Sequence, residues 1–382
     1  MKITIIGHDR VYPPVSADAQ RFYHLSKHLS NDFSVVLIGH SGMIKRFKKY
    51  KINENFDIME IPGRTQMGIG ALGYFLTKKP LFDLVLAMSC EMFPKTVKTY
   101  FRHANESDIL VFEGCWYYPL LKHVKNRDKK LVVYDARNVE YLLKRQAYTG
   151  VYRKLLPKLF ELENGLCSES DIILATCEAE KEKFTKLYSL DQNKITVTQP
   201  GMILPKEGRA PEKRTVLFIG GAYFANFEAA RFINEKLAKT LPDFVFRVVG
   251  RAGMGIKNRQ KNVKIYGMVS EKEKDKLLRS SEIAINPILH GAGMNVKMLE
   301  YMAYGLPAVT TKLGTRGFDE KPFVISDLET FAGNIKQLSE NPELKREISA
   351  IARDVIKKKY EWKAVTKGIS KLFIKELEKK RL

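Results

Sequence analysis

The residues of this chain that could carry out chemistry are concentrated in one stretch, 290–311. Lys297 and Glu300 are three residues apart in a segment of helical period, so their side chains share a face at the start of a helix. A small-residue turn, 291–293, precedes that segment. Its backbone N–H groups and the positive end of the helix dipole suit a phosphate. The lysine could meet the charge of a diphosphate, and the glutamate could accept hydrogen bonds from ribose hydroxyl groups.

Short apolar runs at 283–287 and 306–310 flank this segment and predict two strands. Gly305 and Pro307 are the usual signals that end a helix. The pattern therefore predicts a strand–helix–strand unit. From the spacing alone, a second interpretation stays open, in which the lysine and the glutamate form only a solvated surface pair.

The full order of residues from Gly291 to Pro307 is Gly-x-Gly-x-x-x-Lys-x-x-Glu-x-x-Ala-x-Gly-x-Pro. This order resembles the nucleotide-sugar signature of family 4 glycosyltransferases (glycosyl transferases group 1), which have the GT-B fold. The resemblance covers essentially the whole chain and is strongest over 215–320. It implies an α/β fold of two Rossmann-like, doubly wound domains facing a cleft. It also implies a retaining sugar transfer that uses a nucleotide-diphosphate sugar as donor, without a metal or another cofactor.

The resemblance further implies which residues hold the donor. Lys297 would offset the diphosphate charge as the bond to the sugar breaks, and Glu300 would bind the ribose. The other donor-side candidates follow predicted strands or precede the predicted helix: Gly220, Gly221, Asn226, Gly250, Arg251, Gly267, Met268, Gly291, Ala292, Gly293, Met294, Asn295 and Val296.

Two departures from the family pattern keep other functions open. Many relatives carry an arginine and a lysine near Asn226 that are absent here, so the positive charge must come from Lys297, Arg316, Arg251 or helix N-termini. Ala292 stands where the pattern usually has a glutamate that touches the sugar. The alternatives are a non-catalytic nucleotide-sugar or polyanion-binding protein and a GT-B nucleotide-sugar epimerase. An epimerase would need a set of cleft carboxylates that the sequence does not indicate.

The acceptor side is predicted in the first domain. Ser16 and Ala17 stand where a glycine pair is common in the family, and Arg21, one turn into the next helix, could point at an anion.

The run from Asp135 to Glu140 resembles the family's Asp-x-His-Asn-x-Glu turn, with Arg137 in place of the histidine and Asn138 retained. Arginine stays protonated and cannot act as a base. Arg137 is therefore a candidate for binding an anionic sugar or acceptor group, such as a uronate or a phosphate. Glu140 is interpreted as a helix-start capping residue.

Alternating apolar runs and helical patterns organise both halves of the chain and indicate parallel, doubly wound sheets. A polar, Pro-containing run at 198–214 is the predicted linker. The predicted domains are an acceptor-side domain, 1–199, and a nucleotide-sugar domain, 200–360, with a terminal helix, about 361–382, that crosses back. Strands are predicted in the first domain at 3–6, 34–38, 57–61, 109–112, 131–134, 172–175 and 195–197, and a helix at about 81–101.

Composition limits the partners. The 382 residues carry a net charge of +22, and no apolar run approaches the roughly 20 residues that span a bilayer. No Asp-x-Asp or clustered His pattern suggests a metal, and no zinc-finger or RNA-binding pattern suggests nucleic acid. The four cysteines are far apart and are expected to be buried free thiols. We expect a cytoplasmic protein. The basic, aromatic run 45–51 is interpreted as a solvated loop or helix face, or as a peripheral contact with an anionic membrane.

Overall fold

The computed structural model divides into two compact units, Met1–Gly201 with Val365–Leu382 (unit 1) and Met202–Ala364 (unit 2). It describes residues 1–7, 11–14, 17–41, 46–63, 81–92, 94–206, 208–291 and 294–381, without the side chains of Ala17, Asp18, Ser41 and Phe82. Three predicted site residues, Ser16, Ala292 and Gly293, lie outside the described residues.

Unit 1 is built on an eight-stranded sheet with the order β3-β4-β2-β1-β5-β6-β7-β8. Every pairing is parallel except that of β3 with β4. The central strands are almost continuously apolar and fully buried, as expected for parallel strands covered on both faces. The strands are β1 Lys2–Gly7, β2 Ser34–Ser41, β3 Lys48–Asn53, β4 Phe56–Pro62, β5 Ile109–Glu113, β6 Leu131–Ala136, β7 Ile172–Ala175 and β8 Ile195–Val197.

Helices cover this sheet and connect its strands. Their bounds are Ala17–Leu29, Phe82–Ser89, Pro94–Ala104, Tyr118–Leu121, Glu140–Ala147, Leu156–Glu169, Glu178–Tyr188 and, from Val365 onward, the terminal helix Trp362–Arg381. The four cysteines of the chain lie in this unit, and all are buried and free.

Two local predictions in unit 1 were wrong. The basic run 45–51 was interpreted as a loop or a helix face, but its residues 48–51 belong to β3, which pairs antiparallel with β4. Its lysines alternate with the half-buried Tyr50 and Ile52, which gives the period of a strand. The stretch expected to be one helix at 81–101 is two helices, since a single 3-10 turn, Cys90–Met92, interrupts it.

Unit 2 is built on a six-stranded parallel sheet with the order β11-β10-β9-β12-β13-β14. Its strands are β9 Glu212–Ile219, β10 Val245–Val249, β11 Val263–Gly267, β12 Ser281–Asn286, β13 Ala308–Thr310 and β14 Val324–Ile325. Its helices are Phe224–Phe232, Ala238–Thr240, Glu271–Ser280, Val296–Ala303, Phe331–Glu340 and Pro342–Val355.

The strand order of unit 2 reverses direction at β9. The chain runs from β9 outward through β10 and β11, then returns to the other side of β9 as β12, β13 and β14. Such a switch point leaves a crevice at the carboxyl ends of the central strands, which is where open α/β sheets bind ligands. The α/β class with two parallel-sheet, Rossmann-like units that the sequence predicted is confirmed.

Candidate functional site

The candidate site lies at the carboxyl ends of β9, β10 and β12, where two backbone segments approach each other closely. The carbonyl of Gly220 accepts a hydrogen bond from Ala252 N at 2.9 Å, and Gly250 N donates to the carbonyl of Gly267 at 2.7 Å. Gly250 has a φ of +85°, and a Cβ atom there would lie 2.4 Å from the Gly220 carbonyl oxygen. Only glycine fits this position without strain.

The helix Val296–Ala303, named the signature helix below, is fixed to β9. Its buried face carries Met298, Leu299 and Tyr301, and the Tyr301 hydroxyl accepts a hydrogen bond from Ile219 N at 3.0 Å. The helix ends at Ala303, and Gly305 shortly beyond it has a left-handed φ of +59°. The start of the helix is therefore held beside the last residue of the central strand.

Lys297 is the charged residue that this arrangement places in the switch point. Its Nζ donates to Asn226 Oδ1 at 2.7 Å and lies 4.5 Å from the centroid of the Phe218 ring. Within the described residues it has no carboxylate partner. Burial lowers the pKa of Lys297 to about 7, because the ammonium loses water without gaining an anion. An anionic ligand at this position would restore the charged form.

Asn226 in turn is held by the glycine turn that follows β9. Its Nδ2 donates to the carbonyl of Gly221 at 3.2 Å, and a Cβ atom at Gly220 would lie 3.1 Å from the Asn226 side chain. The structure thus brings together three separately predicted features, the glycine turn, Asn226 and Lys297.

Glu300, one turn further along the signature helix, is ion-paired. Its Oε1 lies 2.8 Å from Nζ of Lys274, which also lies 3.0 Å from Glu271. Burial lowers the pKa of Lys274, but the charge and hydrogen bond of Glu300 outweigh that effect and leave the pKa above its usual value. Sequence reasoning missed Lys274, because it lies in the helix Glu271–Ser280 without any motif that marks it.

The loop before the signature helix is held by the segment after β13. Arg316 Nη1 donates to the carbonyl of Gly291 at 2.9 Å, and Asn295 Nδ2 donates to the carbonyl of Gly314 at 3.4 Å. Met294 is buried, whereas Val296 is exposed. Arg316, one of the predicted sources of positive charge, thus lies beside this loop.

Two further candidates lie at the outer margin of the site. Arg251 and Met268 are both exposed, after β10 and β11 respectively. No described contact joins either of them to Lys297 or Glu300.

A second cluster of charged residues lies at the carboxyl ends of β5 and β6 in unit 1. Arg21 is buried and binds Asp135 through two hydrogen bonds, of 3.1 Å from Nε and 2.6 Å from Nη2. Glu113 is fully buried beside them, and no described residue donates a hydrogen bond to its carboxyl oxygens. Burial and the charge of Asp135 raise the pKa of Glu113 well above its usual value. The positive charge of Arg21 is therefore already matched within the unit.

Arg137 and Asn138 follow β6 and are half-buried. The Arg137 guanidinium lies 5.3 Å from the Phe22 ring centroid. The backbone carbonyl of Arg137 accepts a hydrogen bond from the Thr176 hydroxyl at 3.1 Å. Burial raises the pKa of Glu140 to about 7, against the opposing charges of Arg137 and Lys144. Arg137 therefore lies near carboxyl groups that hold their protons more strongly than usual.

Glu163 is a buried residue that supports this part of unit 1 and that sequence reasoning missed. It is fully buried and accepts hydrogen bonds from the hydroxyls of Tyr134 at 2.9 Å and Tyr188 at 2.5 Å. It also accepts from the backbone N–H groups of Glu140 and Tyr141, both at 2.8 Å. Glu163, rather than the predicted Glu140, therefore caps the helix Glu140–Ala147 that begins just after Arg137.

Two absences complete the description of the site residues. Among the residues that the structure describes, no group of three or more His, Cys, Asp or Glu side chains is arranged to hold a metal ion. Over the same described ranges, no helix is both long and apolar enough to cross a membrane.

Comparison with known proteins places the donor-side candidates in a recognised region. Residues 213–341 match the family model described as glycosyl transferases group 1. An uncharacterized 44.6 kDa protein in the cps region of Klebsiella pneumoniae is 24% identical over 294 residues, which cover 69% of this chain and 74% of that protein.

Solved structures resemble the whole chain at low sequence identity. Anabaena HepE in complex with UDP and glucose has a TM-score of 0.70 at 12% identity, over 98% of this chain and 100% of that one. Sucrose-phosphate synthase from Thermosynechococcus elongatus has a TM-score of 0.74 at 11% identity, over 99% of each chain. An E. coli structure described as trehalose-6-phosphate bound with UDP-2-fluoro glucose has a TM-score of 0.67 at 14% identity, over 100% of this chain and 99% of that one. These likenesses show a shared fold, which is GT-B.

Proposed function

Because residues 213–341 belong to the glycosyl transferases group 1 family and the chain has the GT-B fold, we propose the following reaction for this glycosyltransferase. It moves a sugar from a nucleotide-diphosphate sugar to a glycan or a lipid-linked acceptor, retains the anomeric configuration and needs no metal ion. The similarity to a protein of a cps region supports a role in the synthesis of a cell-surface polysaccharide.

The position of Lys297 carries this proposal. The half-buried ammonium of Lys297 lies at the switch point of a parallel sheet, and its partners are an amide and an aromatic ring. Neither partner carries a negative charge that would balance it. The N-terminal end of the signature helix, which no side chain caps, adds backbone N–H groups and a positive dipole end. A diphosphate bound there would supply the missing negative charge.

The proposed catalytic effect depends on where negative charge develops during the reaction. When the bond between the sugar and the diphosphate breaks, negative charge accumulates on the leaving phosphate oxygen. Lys297 and the first N–H groups of the signature helix are fixed in advance and stabilise that charge, which is commonly the largest catalytic contribution. In this proposal the lysine, rather than a divalent cation, offsets the charge of the diphosphate.

Glu300 would bind the donor rather than react with it. Its carboxylate is held by Lys274 through one oxygen, Oε1. An ionised carboxylate accepts several hydrogen bonds, so ribose hydroxyl groups can bind beside the lysine. Lys274 keeps the carboxylate oriented.

Arg137 gives the acceptor side a preference for anions. Its guanidinium lies near Glu140 and Glu113, two buried carboxyl groups with raised pKa values, which neutralise it less than ordinary carboxylates would. We propose that a carboxylate or phosphate group on the sugar or the acceptor binds there. Planar two-pronged recognition of such groups is characteristic of arginine.

The first test is the substitution Lys297→Ala. We expect kcat to fall by roughly 100-fold or more and donor affinity to fall by less. The reason is that the lysine acts on charge that develops in the transition state. Nucleotide release from a panel of UDP- and GDP-sugars, with and without acceptor, measures the rate.

Lys264→Ala, at an exposed lysine of the same sheet, is the matched control. Equal losses in rate and affinity would contradict the role at the leaving group. Binding without any turnover by the unaltered protein would favour a nucleotide-sugar-binding module instead.

The second test is Glu300→Ala. We expect UDP to bind about tenfold or more weakly, with the fold intact, because the ribose loses a charged hydrogen-bond acceptor. Glu271→Ala is the matched control, since Glu271 is the other carboxylate on Lys274. Titration calorimetry with UDP compares the two variants. An unaltered Kd in Glu300→Ala, or an equal loss in both variants, would show that Glu300 does not bind the nucleotide.

A further inference from the structure

Three ring side chains meet beside the proposed donor site, and none of them was predicted as a site residue. The ring centroid of Phe224 lies 4.6 Å from that of Tyr223 and 5.7 Å from that of His290. Both distances fall in the range of favourable contacts between rings. Tyr223 and Phe224 follow β9, whereas His290 follows β12, its neighbour in the sheet. These three residues, called the aromatic rim below, therefore connect the ends of two central strands.

Hydrogen bonds place the aromatic rim next to Lys297. The Tyr223 carbonyl accepts from the backbone N–H of Asn226 at 2.9 Å, and the side chain of Asn226 accepts from Lys297 at 2.7 Å. At the other end of the rim, Gly291 follows His290 directly, and its carbonyl accepts from Arg316 at 2.9 Å. The rim therefore borders the position proposed for the diphosphate.

The aromatic rim combines an exposed apolar ring with hydrogen-bonding groups. Phe224 is 45% exposed, and Leu289, the residue before His290, is 55% exposed. Nε2 of His290 lies 3.8 Å from Oε2 of Glu228, whose side chain is also exposed. A ligand that covered Phe224 would remove apolar area from water, which is favourable. A pyranose ring suits such a surface, because one of its faces presents C–H groups while its edge presents hydroxyl groups.

The position of the aromatic rim favours the sugar of the donor over its base. A nucleotide sugar is a chain in which the diphosphate separates the ribose from the sugar. Glu300, proposed for the ribose, lies one turn along the signature helix from Lys297 and contacts Lys274. The rim is connected to Lys297 through Asn226, which belongs to a different helix. With the ribose at Glu300 and the diphosphate at Lys297, the group that extends toward the rim is the sugar.

We propose that the aromatic rim binds the pyranose ring of the donor. The C–H face of the sugar packs on Phe224, and its hydroxyl groups bind at Glu228 and His290. This inference rests on the proposed function, since it takes the diphosphate to bind at Lys297. Phe224 then determines the affinity for the sugar, whereas Lys297 and Glu300 hold the nucleotide.

The test is titration calorimetry of the full chain with UDP-glucose, UDP-galactose, UDP-N-acetylglucosamine and GDP-mannose, each compared with its free nucleotide. For the nucleotide sugar that the unaltered protein binds best, we expect Phe224→Ala to raise the Kd roughly 3- to 10-fold, because the sugar loses its contact with the ring. The Kd of the free nucleotide should stay unchanged. Phe224→Tyr keeps the ring and should keep the affinity for the nucleotide sugar.

Phe47→Ala is the matched control, because Phe47 is a phenylalanine of unit 1 with a similar exposure, 48%. It should change neither Kd, and circular dichroism establishes that all variants are folded. The proposal is overturned if Phe224→Ala leaves the Kd of the nucleotide sugar unchanged. It is also overturned if the free nucleotide loses the same affinity, which would assign the rim to the nucleotide.

The acceptor is the other possible source of a pyranose ring. If Phe224→Ala raised only the KM for the acceptor in a transfer assay, the rim would belong to the acceptor and the proposal would be wrong. Because the main measurement is binding, a protein that binds nucleotide sugars without transferring them would refute the proposed transfer alone. An unchanged Kd in Phe224→Ala, in a protein that does transfer sugar, would refute the role of the rim alone.

Discussion

Lys297 is a charged residue in a position where its charge is unfavourable until a ligand arrives. Its ammonium contacts an amide oxygen and an aromatic ring, and burial lowers its pKa to about 7. A permanent carboxylate partner would remove that cost but would also compete with a diphosphate. The absence of such a partner among the described residues therefore fits a binding site better than a structural ion pair.

This pKa makes nucleotide binding depend on pH in a defined direction. Above about pH 7 the free protein loses the Lys297 proton, whereas the diphosphate complex favours the charged form, so binding takes up a proton. We expect the affinity for UDP to fall as pH rises above 7, by up to about tenfold per pH unit. Below pH 7 Lys297 does not contribute to the pH dependence of the affinity for UDP.

Titration calorimetry in buffers of different ionisation enthalpy measures the proton uptake directly. The variant Lys297→Met should lose both the uptake and the slope. A slope that persists unchanged in this variant would assign the titration to another group.

Residues marked by a motif were easier to predict than residues marked only by their contacts. Lys297 and Glu300 stand at positions of a spaced pattern, and both were predicted from it. Lys274 and Glu163 were missed because their partners are distant in sequence and neither belongs to a pattern. A single sequence cannot reveal an ion pair that only the packing of two helices creates.

At the scale of elements, the loops after β9 and β10 act as one backbone platform. Gly250→Ala would place a Cβ atom 2.4 Å from the Gly220 carbonyl oxygen at a residue with a φ of +85°. We expect it to lower the free energy of unfolding by about 1–3 kcal/mol and to weaken UDP binding, since the platform must move apart.

Gly221→Ala is the matched control for this substitution. Gly221 lies in the adjacent turn, has no positive φ, and a Cβ atom there would meet no atom within 4 Å. Its melting temperature should stay close to that of the wild type in thermal unfolding. Similar destabilisation in the two variants would show that the close approach of the two loops does not hold the platform together.

The central strands were predictable because burial on both faces produces uninterrupted apolar runs. The predicted strand at 3–6 and β1 Lys2–Gly7 differ by one residue at each end. Strand β3 was missed because it has only a partly buried face and three exposed lysines, which is a composition typical of loops. Pro94, at which the second helix begins, was a signal of the interruption near Cys90 that sequence reasoning passed over.

At the scale of the whole molecule, each unit has charged residues at the carboxyl ends of its central strands. Unit 2 has Lys297 without a carboxylate among its described contacts, while unit 1 has Arg21 matched by Asp135 and Arg137 near Glu140. Both sets follow from the parallel topology, which brings the ends of distant strands to one edge. The net charge of +22 is distributed well beyond these two sets of residues.

Strand β3 has a further consequence for how the molecule behaves at high concentration. A sheet that stopped at β4 would offer another copy the unpaired N–H and C=O groups of Phe56–Pro62, a template for fibril-like growth. The antiparallel β3 covers that template and replaces it with a border that carries Lys48, Lys49 and Lys51. Mutual repulsion between such borders discourages molecules from stacking strand upon strand, so a segment with no part in the proposed chemistry helps to keep the protein dispersed.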